Sequence, residues 1–499
     1  MSSALEGVVV LDHTMWQAGP VAATVLADLG ANVLKIEEPR SGDVGRYIRV
    51  GDNDFALGDD HSYYFEMNNR GKRSVALDLK SESGREAFYR LVAKADVYVT
   101  NLQLGSLATL RADYETLAKI NPRLIYASNT GYGAKGPKAG AALMDAGAMA
   151  LGGLLSVSGY GDDPQNITSI ADQSGALTLV CGIMTALYHR ERTGVGQRID
   201  TSLLGTQAWL GSFYLQRYLF DGYLPARAKH HEQGGNPMYT QYLTADSRWL
   251  AMSSVQYDQY WESFCEALWR KDIASDPRFA DLPGRQENSK ELITILEGVF
   301  AGRSAAEWME RFAAYDFPYG LVRTYEEVAE DHQLYVNNCI VELEDEIAGP
   351  TRRVVFPVGF SETPVQVRKG APALGQHTEE CLIEIADYDW ESLGKLRGQE
   401  STEDNTGSGG TMRTTVTDGK KVVEIETAKC VGCYLCQMAC SFTKYKEFNR
   451  DRSYVAVRRV GPWEDEWEVQ FTDDCDACGY CANFCEYDAL SLRRLARAT

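Results

Sequence analysis

The sequence of 499 residues predicts an α/β protein built on a mostly parallel sheet. Short apolar runs typical of strands occur at residues 8–11, 32–37, 74–79, 96–100 and 124–130. Helical patterns separate several of these runs, notably at residues 21–29 and 82–93. Alternation of strands and helices is typical of a parallel sheet covered by helices.

The later elements continue this sheet domain and then interrupt it. An amphipathic helix is predicted at about residues 175–190, where Leu177, Val180, Met184 and Leu187 fall on one stripe. Residues 225–325 change to a mixed, aromatic-rich pattern, which predicts a smaller α+β domain inserted in the larger one. Strand character returns at residues 352–361, so we expect the chain to rejoin the large domain there.

A polar segment at residues 397–420, rich in Gly, Ser and Thr, has almost nothing to bury and is typical of a flexible linker. The expected organisation is a large domain at 1–224 and 326–396, a small domain at 225–325, the linker, and a tail domain at 421–499.

The composition limits the partners. The formal net charge of −20 argues against nucleic acid or an anionic membrane surface, because both require a basic face. The amino terminus lacks the pattern of a signal peptide, and the apolar stretches are expected to be too short to cross a membrane. We therefore expect a cytoplasmic protein.

The sharpest chemical signal is a pair of C-x2-C-x2-C-x3-C motifs in the tail. Their cysteines are Cys430, Cys433, Cys436 and Cys440, and Cys475, Cys478, Cys481 and Cys485. This spacing indicates two iron-sulfur clusters. Structural zinc sites are the alternative, although zinc ribbons use separated C-x2-C pairs. Disulfides fit poorly, because cysteines two residues apart make poor bridges.

The tail resembles two-cluster ferredoxins over about residues 421–495, which implies a ferredoxin-like α+β domain. The resemblance also implies two [4Fe-4S] clusters, each held by three cysteines of one motif and the fourth cysteine of the other. One set would be Cys430, Cys433, Cys436 and Cys485, and the other Cys475, Cys478, Cys481 and Cys440. Acidic residues beside the second motif suggest a surface for a redox partner.

Long ordered motifs cover about residues 5–390. They include WQAGP at 16–20, NNRGKRSVALDLK at 68–80, INPRLIYASNTGYGAKGP at 120–137 and SIADQSGALTLVCGIMTALYHRERTGVGQRIDTSL at 169–203. The sequence closely resembles the family III (CaiB/BaiF, formyl-CoA transferase-like) CoA-transferases. The resemblance implies a Rossmann-like large domain with a smaller inserted domain. It also implies an interlocked homodimer, or a heterodimer of related subunits.

Asp172 matches the family's catalytic aspartate. Its position alone predicts a helix N-cap, and N–H groups at the helix start would hold its carboxylate ionised at neutral pH. The resemblance implies that Asp172 attacks the acyl-CoA donor, which gives an aspartyl anhydride and then an aspartyl-CoA thioester. Gln17 matches an active-site position where its amide could donate to developing charge. Gly234 and Gly235 match a glycine-rich flap that excludes water.

Coenzyme A bears phosphates, so an acidic protein needs local cations to bind it. The candidates cluster near the ends of predicted strands, where open α/β sheets bind ligands. They are Arg40, Arg46, Arg70, Lys72, Arg73, Lys135 and Lys138. Asn101 fits the N-F-[RK]-P-G turn of the family and is a further candidate for the CoA site. Gln103 and Leu104 replace the basic residue and the proline of that turn.

Parts of the sequence also suggest three other functions. Gly131, Gly133 and Gly136 form a G-x-G-x-x-G motif, but Pro137 follows it and no acidic residue stands about twenty positions on, so a dinucleotide is disfavoured. Racemases of α-methylacyl-CoA share the family and need a histidine where this chain has Met144. Finally, the front domain could be a CoA-thioester binding platform whose tail passes electrons to a reductase or dehydratase complex.

Overall fold

The computed structural model of the chain describes residues 3–48, 56–58, 61–159, 164–224, 236–255, 257–345, 349–365, 367 and 369–393. In the tail it describes residues 415–417, 421–425, 436–437, 440, 444, 453–459, 467–471, 475, 478, 480–483, 485 and 489–494. The chain forms two compact units. The first comprises Met1–Gly152, Ile167–Ser212 and Val341–Thr499, and the second comprises Gly153–Asn166 and Phe213–Ile340.

A six-stranded parallel sheet lies at the centre of the first unit. Its strands are β1 (Val9–His13), β2 (Asn32–Glu37), β3 (Arg73–Ala76), β4 (Val97–Thr100), β5 (Ile125–Thr130) and β6 (Arg198–Ser202), in the order β3-β2-β1-β4-β5-β6. The α/β class and the parallel sheet predicted from the sequence are confirmed.

Helices cover both faces of this sheet. Their bounds are α1 (Ala18–Asp28), α2 (Tyr63–Asn69), α3 (Glu82–Lys94), α4 (Leu104–Thr109), α5 (Tyr114–Ile120), α6 (Asp145–Leu151), α7 (Ile170–Thr193), α8 (Leu203–Leu210) and α9 (Thr378–Glu384). One apolar core joins α3, α5 and α9 to the sheet through Phe88, Leu91, Leu117 and Leu382. A second core joins α1 and α7 to the other face through Leu26, Leu179 and Ile183.

The long helix α7 begins earlier than predicted, and most of its predicted stripe is buried: Val180 lies in the core, and Met184 and Leu187 pack against it. Leu177 is 49% exposed, whereas Ala176, Leu179 and Ile183 are buried, so the predicted stripe was wrong at Leu177. The buried stripe contains small residues because α1 packs closely against α7. A Cβ added to Gly175 would lie 3.0 Å from Leu203 Cδ2 and 3.9 Å from Ala18 Cβ. Gly194, in the left-handed region at φ 77°, ends the helix.

By length and composition, α7 is the one described helix that could cross a membrane. The expectation that every apolar stretch is too short was therefore wrong for this segment. Its inner face is nevertheless packed in the core of the first unit, and a core helix satisfies the same test of length and composition.

The second unit contains a three-stranded antiparallel sheet of β7 (Gln241–Leu243), β8 (Trp249–Met252) and β9 (Tyr319–Leu321), in the order β9-β8-β7. The longer helices of this unit are Ser212–Asp221, Tyr257–Ala267, Ser289–Phe300 and Ala305–Phe312, and the shorter ones are Leu154–Val157, Lys271–Ala274, Leu282–Glu287, Tyr325–Ala329 and His332–Val336. Its core is aromatic. The rings of Tyr242 and Phe300 stack at 4.3 Å, and Trp308 lies 5.2 Å from Phe300.

The remaining strands form small sheets. β10 (Ile340–Asp345) pairs with β11 (Gly349–Val354), and the short strands Ala56–Gly58 and His61–Ser62 pair with each other. In the tail, β12 (Thr415–Thr417), β13 (Lys421–Ile425) and β16 (Leu490–Arg494) form one antiparallel sheet. β14 (Val455–Arg459) and β15 (Trp467–Phe471) form another. The short helix Tyr480–Asn483 precedes β16, and apolar side chains of both sheets share one core with cysteines.

Candidate active site

The first turn of α7 contains Asp172 as its third residue, and the N-cap is Ser169. The N-cap predicted at Asp172 is therefore displaced by three positions. The free N–H groups of this turn are bound by Asp145, the first residue of α6. Asp145 Oδ2 accepts from Ser169 N at 2.9 Å, and Oδ1 accepts from Ala171 N at 2.8 Å and from Asp172 N at 3.1 Å. A carboxylate from another helix thus caps α7.

This arrangement raises the pKa of Asp172. Burial is the larger cause and the negative charge of Asp145 is the second, and together they raise the pKa to about 7 from an ordinary 3.8. The expectation that helix N–H groups hold Asp172 ionised at neutral pH was wrong, because burial and the charge of Asp145 disfavour the ionised form. At neutral pH the carboxyl group of Asp172 is partly protonated, as in many catalytic carboxyl groups poised near their working pH.

Gln17 lies at the start of α1 and is 3% exposed. The Ser169 hydroxyl donates to Gln17 Oε1 at 3.0 Å, so one residue joins Gln17 to the turn that contains Asp172. Among the described residues, Gln17 Nε2 has no hydrogen-bond partner although it is buried. A buried N–H donor without an acceptor is costly, and a substrate oxygen could satisfy it.

The loop before Gln17 is held by two side chains from the segments that follow β2 and β4. Trp16 adopts the left-handed region at φ 68°, and its N–H donates to Asp43 Oδ1 at 3.2 Å. Asn101 brackets Met15: Oδ1 accepts from Met15 N at 2.9 Å and Nδ2 donates to Met15 O at 2.6 Å. Asn101, predicted in the CoA site, therefore supports the active-site loop with both ends of its amide.

A buried charge network lies beneath this loop. Its members are three acidic and three basic side chains, each at most 4% exposed: Asp12, Glu37, Asp43, Lys35, Arg46 and Lys72. Lys35 Nζ lies 2.8 Å from Asp43 Oδ2, and Lys72 Nζ lies 2.7 Å from Asp12 Oδ2. The two lysines also donate to backbone carbonyls, Lys35 to Thr14 at 3.0 Å and Lys72 to Pro20 at 2.8 Å. The network thereby fixes the chain on both sides of Gln17.

Two of the predicted phosphate ligands belong to this network, which corrects their assignment. Arg46 donates to both oxygens of Glu37, at 2.9 and 2.7 Å, and its guanidinium lies 3.8 Å from the Phe65 ring. Lys72 donates to Asp12, Pro20 and Asn69, and burial, the largest cause, lowers its pKa to about 8. Both cations neutralise buried carboxylates, so neither is available for a phosphate of CoA.

The other predicted cations divide into two groups. Arg70 pairs with Asp28 at 2.7 Å, and Arg73 pairs with Glu380 and Glu384 at 2.6 and 2.8 Å. Arg40, Lys135 and Lys138 are exposed in the loops that follow β2 and β5. These three remain the candidates with the access that a phosphate requires. Gly234 and Gly235 lie outside the described residues.

Two residues near the site received no role from the sequence. Asp145 follows Met144 in the segment compared with the racemases. It caps α7 by accepting hydrogen bonds from backbone N–H groups at the start of that helix. Tyr64 is the second residue of α2, and burial, followed by the charges of Asp172, Asp43 and Asp145, raises its pKa. The sequence around Asp145 and Tyr64 contains no pattern that could have predicted that either residue lies near Asp172.

The tail brings several predicted cluster ligands into one neighbourhood. Burial raises the pKa of the Cys481 thiol, and the charges of Cys440, Cys478 and Cys475 raise it further. Tyr454 N donates to Cys440 Sγ at 3.3 Å. Within the described part of the chain, however, no three such side chains are close enough to hold a metal ion. Cys430 and Cys433 lie outside the described residues.

Comparison with known proteins identifies what the first 378 residues resemble. The family described as "CoA-transferase family III" matches residues 5–378. The acetyl-CoA:oxalate CoA-transferase of Acetobacter aceti is 34% identical over 391 residues, which is 76% of this chain and 95% of that protein. The (R)-2-hydroxy-4-methylpentanoate CoA-transferase of Clostridioides difficile is 28% identical and covers 79% of this chain and 98% of that protein. The crystal structure of a CAIB/BAIF family protein from Brucella suis superposes with a TM-score of 0.67 at 31% identity, covering 77% of this chain and 100% of that one.

Proposed function

The chain belongs to the family III CoA-transferases, and from that premise we propose that it moves CoA from an acyl-CoA to a free carboxylic acid through covalent intermediates on Asp172. The observation that supports this proposal is the first turn of α7. That turn holds a half-buried carboxyl group with a pKa near 7 and is joined by Ser169 to an amide whose Nε2 lacks an acceptor among the described residues.

In the first half of the reaction, a carboxylate oxygen of Asp172 attacks the thioester carbonyl carbon. The C–S bond breaks, CoA leaves as a thiolate, and a mixed anhydride remains on Asp172. The thiolate then attacks the carbonyl carbon of the Asp172 side chain. The anhydride C–O bond breaks, the donor acid leaves as a carboxylate, and an aspartyl-CoA thioester forms.

In the second half, the acceptor carboxylate attacks the aspartyl thioester and displaces the CoA thiolate, which gives a new anhydride. The thiolate attacks the acyl carbon of the acceptor, and Asp172 leaves as a carboxylate. Every attack places negative charge on a carbonyl oxygen. The Gln17 Nε2 group is suited to donate a hydrogen bond to that oxygen, which stabilises the transition state more than the ground state.

The test is exchange of CoA between candidate acids, with mass spectrometry of the protein after incubation with a panel of acyl-CoAs. We expect exchange and an adduct on Asp172, and loss of both in Asp172→Ala. Asp387→Ala is the matched control, because Asp387 is an exposed carboxylate paired with Lys94 at 2.8 Å. If Asp172→Ala retains full exchange, or the adduct forms elsewhere, the mechanism is wrong.

We also propose that the tail holds two [4Fe-4S] clusters. The motif spacing supports this, and Cys440, Cys475, Cys478 and Cys481, which lie in one neighbourhood of the tail, make up one of the two implied ligand sets. Such clusters accept and donate single electrons. Anaerobically purified protein should contain iron and acid-labile sulfide, and Cys478→Ser should reduce both. Cys181→Ser, at an exposed site on α7, should leave both unchanged. Stoichiometric zinc without sulfide would contradict the assignment.

The cysteine neighbourhood favours a second candidate function. In it, the first unit binds a CoA thioester and the tail passes electrons to a reductase or dehydratase that acts on the bound thioester. Co-purification with such an enzyme would support this candidate, provided that Asp172→Ala also binds acyl-CoA as well as the wild type does. CoA exchange that depends on Asp172 in the isolated protein would instead support the transferase.

For the assembly, we propose a cytoplasmic dimer, either of two such chains or with a related subunit. The helix Ser212–Asp221 supports it, because Phe213, Leu219 and Phe220 are 82%, 67% and 80% exposed, and large exposed apolar faces are typical of interfaces. Light scattering after size exclusion should give twice the mass of 55.4 kDa for a homodimer, or that mass plus the mass of the related subunit for a heterodimer. A monomer at micromolar concentration would contradict this proposal.

A further inference from the structure

We infer that Ser169 is a positioning residue that turns the amide of Gln17 so that its N–H groups, and not its carbonyl oxygen, face the substrate. The inference rests on the proposed function, in which Gln17 donates to the oxyanion. It concerns a side chain to which neither the family comparison nor the sequence pattern assigns a role.

The first observation is an unusual use of an N-cap serine. Serine at this position ordinarily accepts a hydrogen bond from the second or third N–H group of its own helix. In α7 the side chain of Ser169 makes no such bond, because Asp145 accepts from Ala171 N and Asp172 N. The hydroxyl is thereby released, and it donates to Gln17 Oε1 at 3.0 Å.

The second observation is the backbone conformation of Ser169. Its φ of 73° lies in the left-handed region, which costs a non-glycine residue about 1 kcal/mol or more. The hydrogen bond from Ser169 N to Asp145 Oδ2, at 2.9 Å, holds this conformation. Glycine would adopt it without that cost, but glycine has no hydroxyl to bind Gln17.

The third observation is the state of the Gln17 amide. A primary amide has an acceptor at one end and two donors at the other, and rotation by 180° exchanges them. With Oε1 bound by Ser169, Nε2 is left buried and without a partner within the described residues. Loss of the hydroxyl would remove the preference between the two rotations. The opposite rotation would place a carbonyl oxygen against the developing negative charge and slow every acyl-transfer step.

The experiment is a double-mutant cycle on the full chain, with Ser169→Ala, Gln17→Ala and the double variant. A neutral hydrogen bond contributes about 1 kcal/mol, so Ser169→Ala should lower kcat roughly fivefold to tenfold and leave the KM for acyl-CoA within about twofold. In the Gln17→Ala background, Ser169→Ala should have no further effect, because its target is absent. Thr178→Ala is the control, since Thr178 lies on the same helix and its hydroxyl, among the described residues, bonds only the carbonyl of Ser174.

Ser169→Gly guards against a folding defect, because it removes the hydroxyl and relieves the left-handed backbone. It should lower kcat as Ser169→Ala does. Equal proportional losses in both backgrounds, or unchanged kcat in both Ser169 variants, would overturn the inference. Asp172→Ala separates the two proposals: if it abolishes exchange while the Ser169 variants behave as wild type, only the role of Ser169 is wrong. If Asp172→Ala retains exchange, the proposed function fails whatever the cycle shows.

Discussion

The negative charge of Asp145 is predicted to control the pH at which Asp172 becomes reactive. In Asp145→Asn, Oδ1 can still accept from Ala171 N and Asp172 N, so the cap of α7 is largely kept. The charge that disfavours ionisation of Asp172 is removed. We therefore expect the pKa of Asp172 to fall and the active, deprotonated form to appear at lower pH.

The structure limits the size of this effect. The pKa of Asp172 lies about three above its ordinary 3.8, and burial is the larger of the two causes. The charge of Asp145 therefore accounts for less than half of that difference, which is less than about 1.6 in pKa or about 2 kcal/mol. Burial is unchanged in the variant, so the pKa of Asp172 should remain above 3.8.

The assay is kcat/KM for the acyl-CoA donor from pH 5 to 9, which reports ionisations of the free enzyme. Wild type should rise with a slope of one and level off above about pH 7. Asp145→Asn should level off at a lower pH. Its plateau should also fall, because Ser169 N loses its acceptor and Gln17 is held less firmly. Asp387→Asn should reproduce the wild-type profile. An acid limb that stays in place or moves to higher pH would refute the electrostatic reasoning.

Two further predictions concern the same protein. Asp172→Asn should increase the free energy of unfolding at pH 8 by up to about 4 kcal/mol. The pKa of Asp172 is raised in the folded protein, so its charged form destabilises the fold. That cost is fully present above about pH 7 and absent below about pH 4, where the carboxyl group is protonated. Urea titrations at pH 8 and pH 4 check this, and equal effects at both pH values would contradict it. Arg40→Ala should raise the KM for CoA about tenfold at low salt, with a smaller effect at high salt. The control is Arg90→Ala, which removes an exposed cation paired with Glu86 and should leave the KM unchanged. If Arg40→Ala also leaves the KM unchanged, Arg40 does not contact the phosphates.

The sequence predicted those parts of the fold that depend on local pattern. The runs at 32–37 and 96–100 correspond to β2 and to β4, because buried parallel strands require continuous apolar residues. The strand predicted at 74–79 is shorter in the structure, as β3 ends at Ala76. Leu77 and Leu79 are buried in the core beyond the end of the strand. The apolar pattern therefore could not show where the strand ends and the loop begins.

The sequence could not predict pairings between distant charges. Arg46 and Lys72 looked like phosphate ligands because basic residues near strand ends often contact ligands. Their partners, Glu37 and Asp12, become visible only when the strands are side by side. In the same way, the pKa of Asp172 depends on Asp145, 27 residues earlier in the chain. The candidate catalytic position was recognisable from the motif, whereas its electrostatic environment required the fold.

The buried charge network beneath the Gln17 loop also has a consequence for temperature. Hydration of charged groups becomes less favourable on heating, so the cost of keeping Asp43, Lys35 and their neighbours away from water decreases as the temperature rises. Apolar contacts gain no comparable advantage. The backbone around Gln17, tied to this network through Thr14 and Pro20, should therefore keep its geometry close to the midpoint of thermal unfolding, and exchange activity should persist until the first unit itself unfolds.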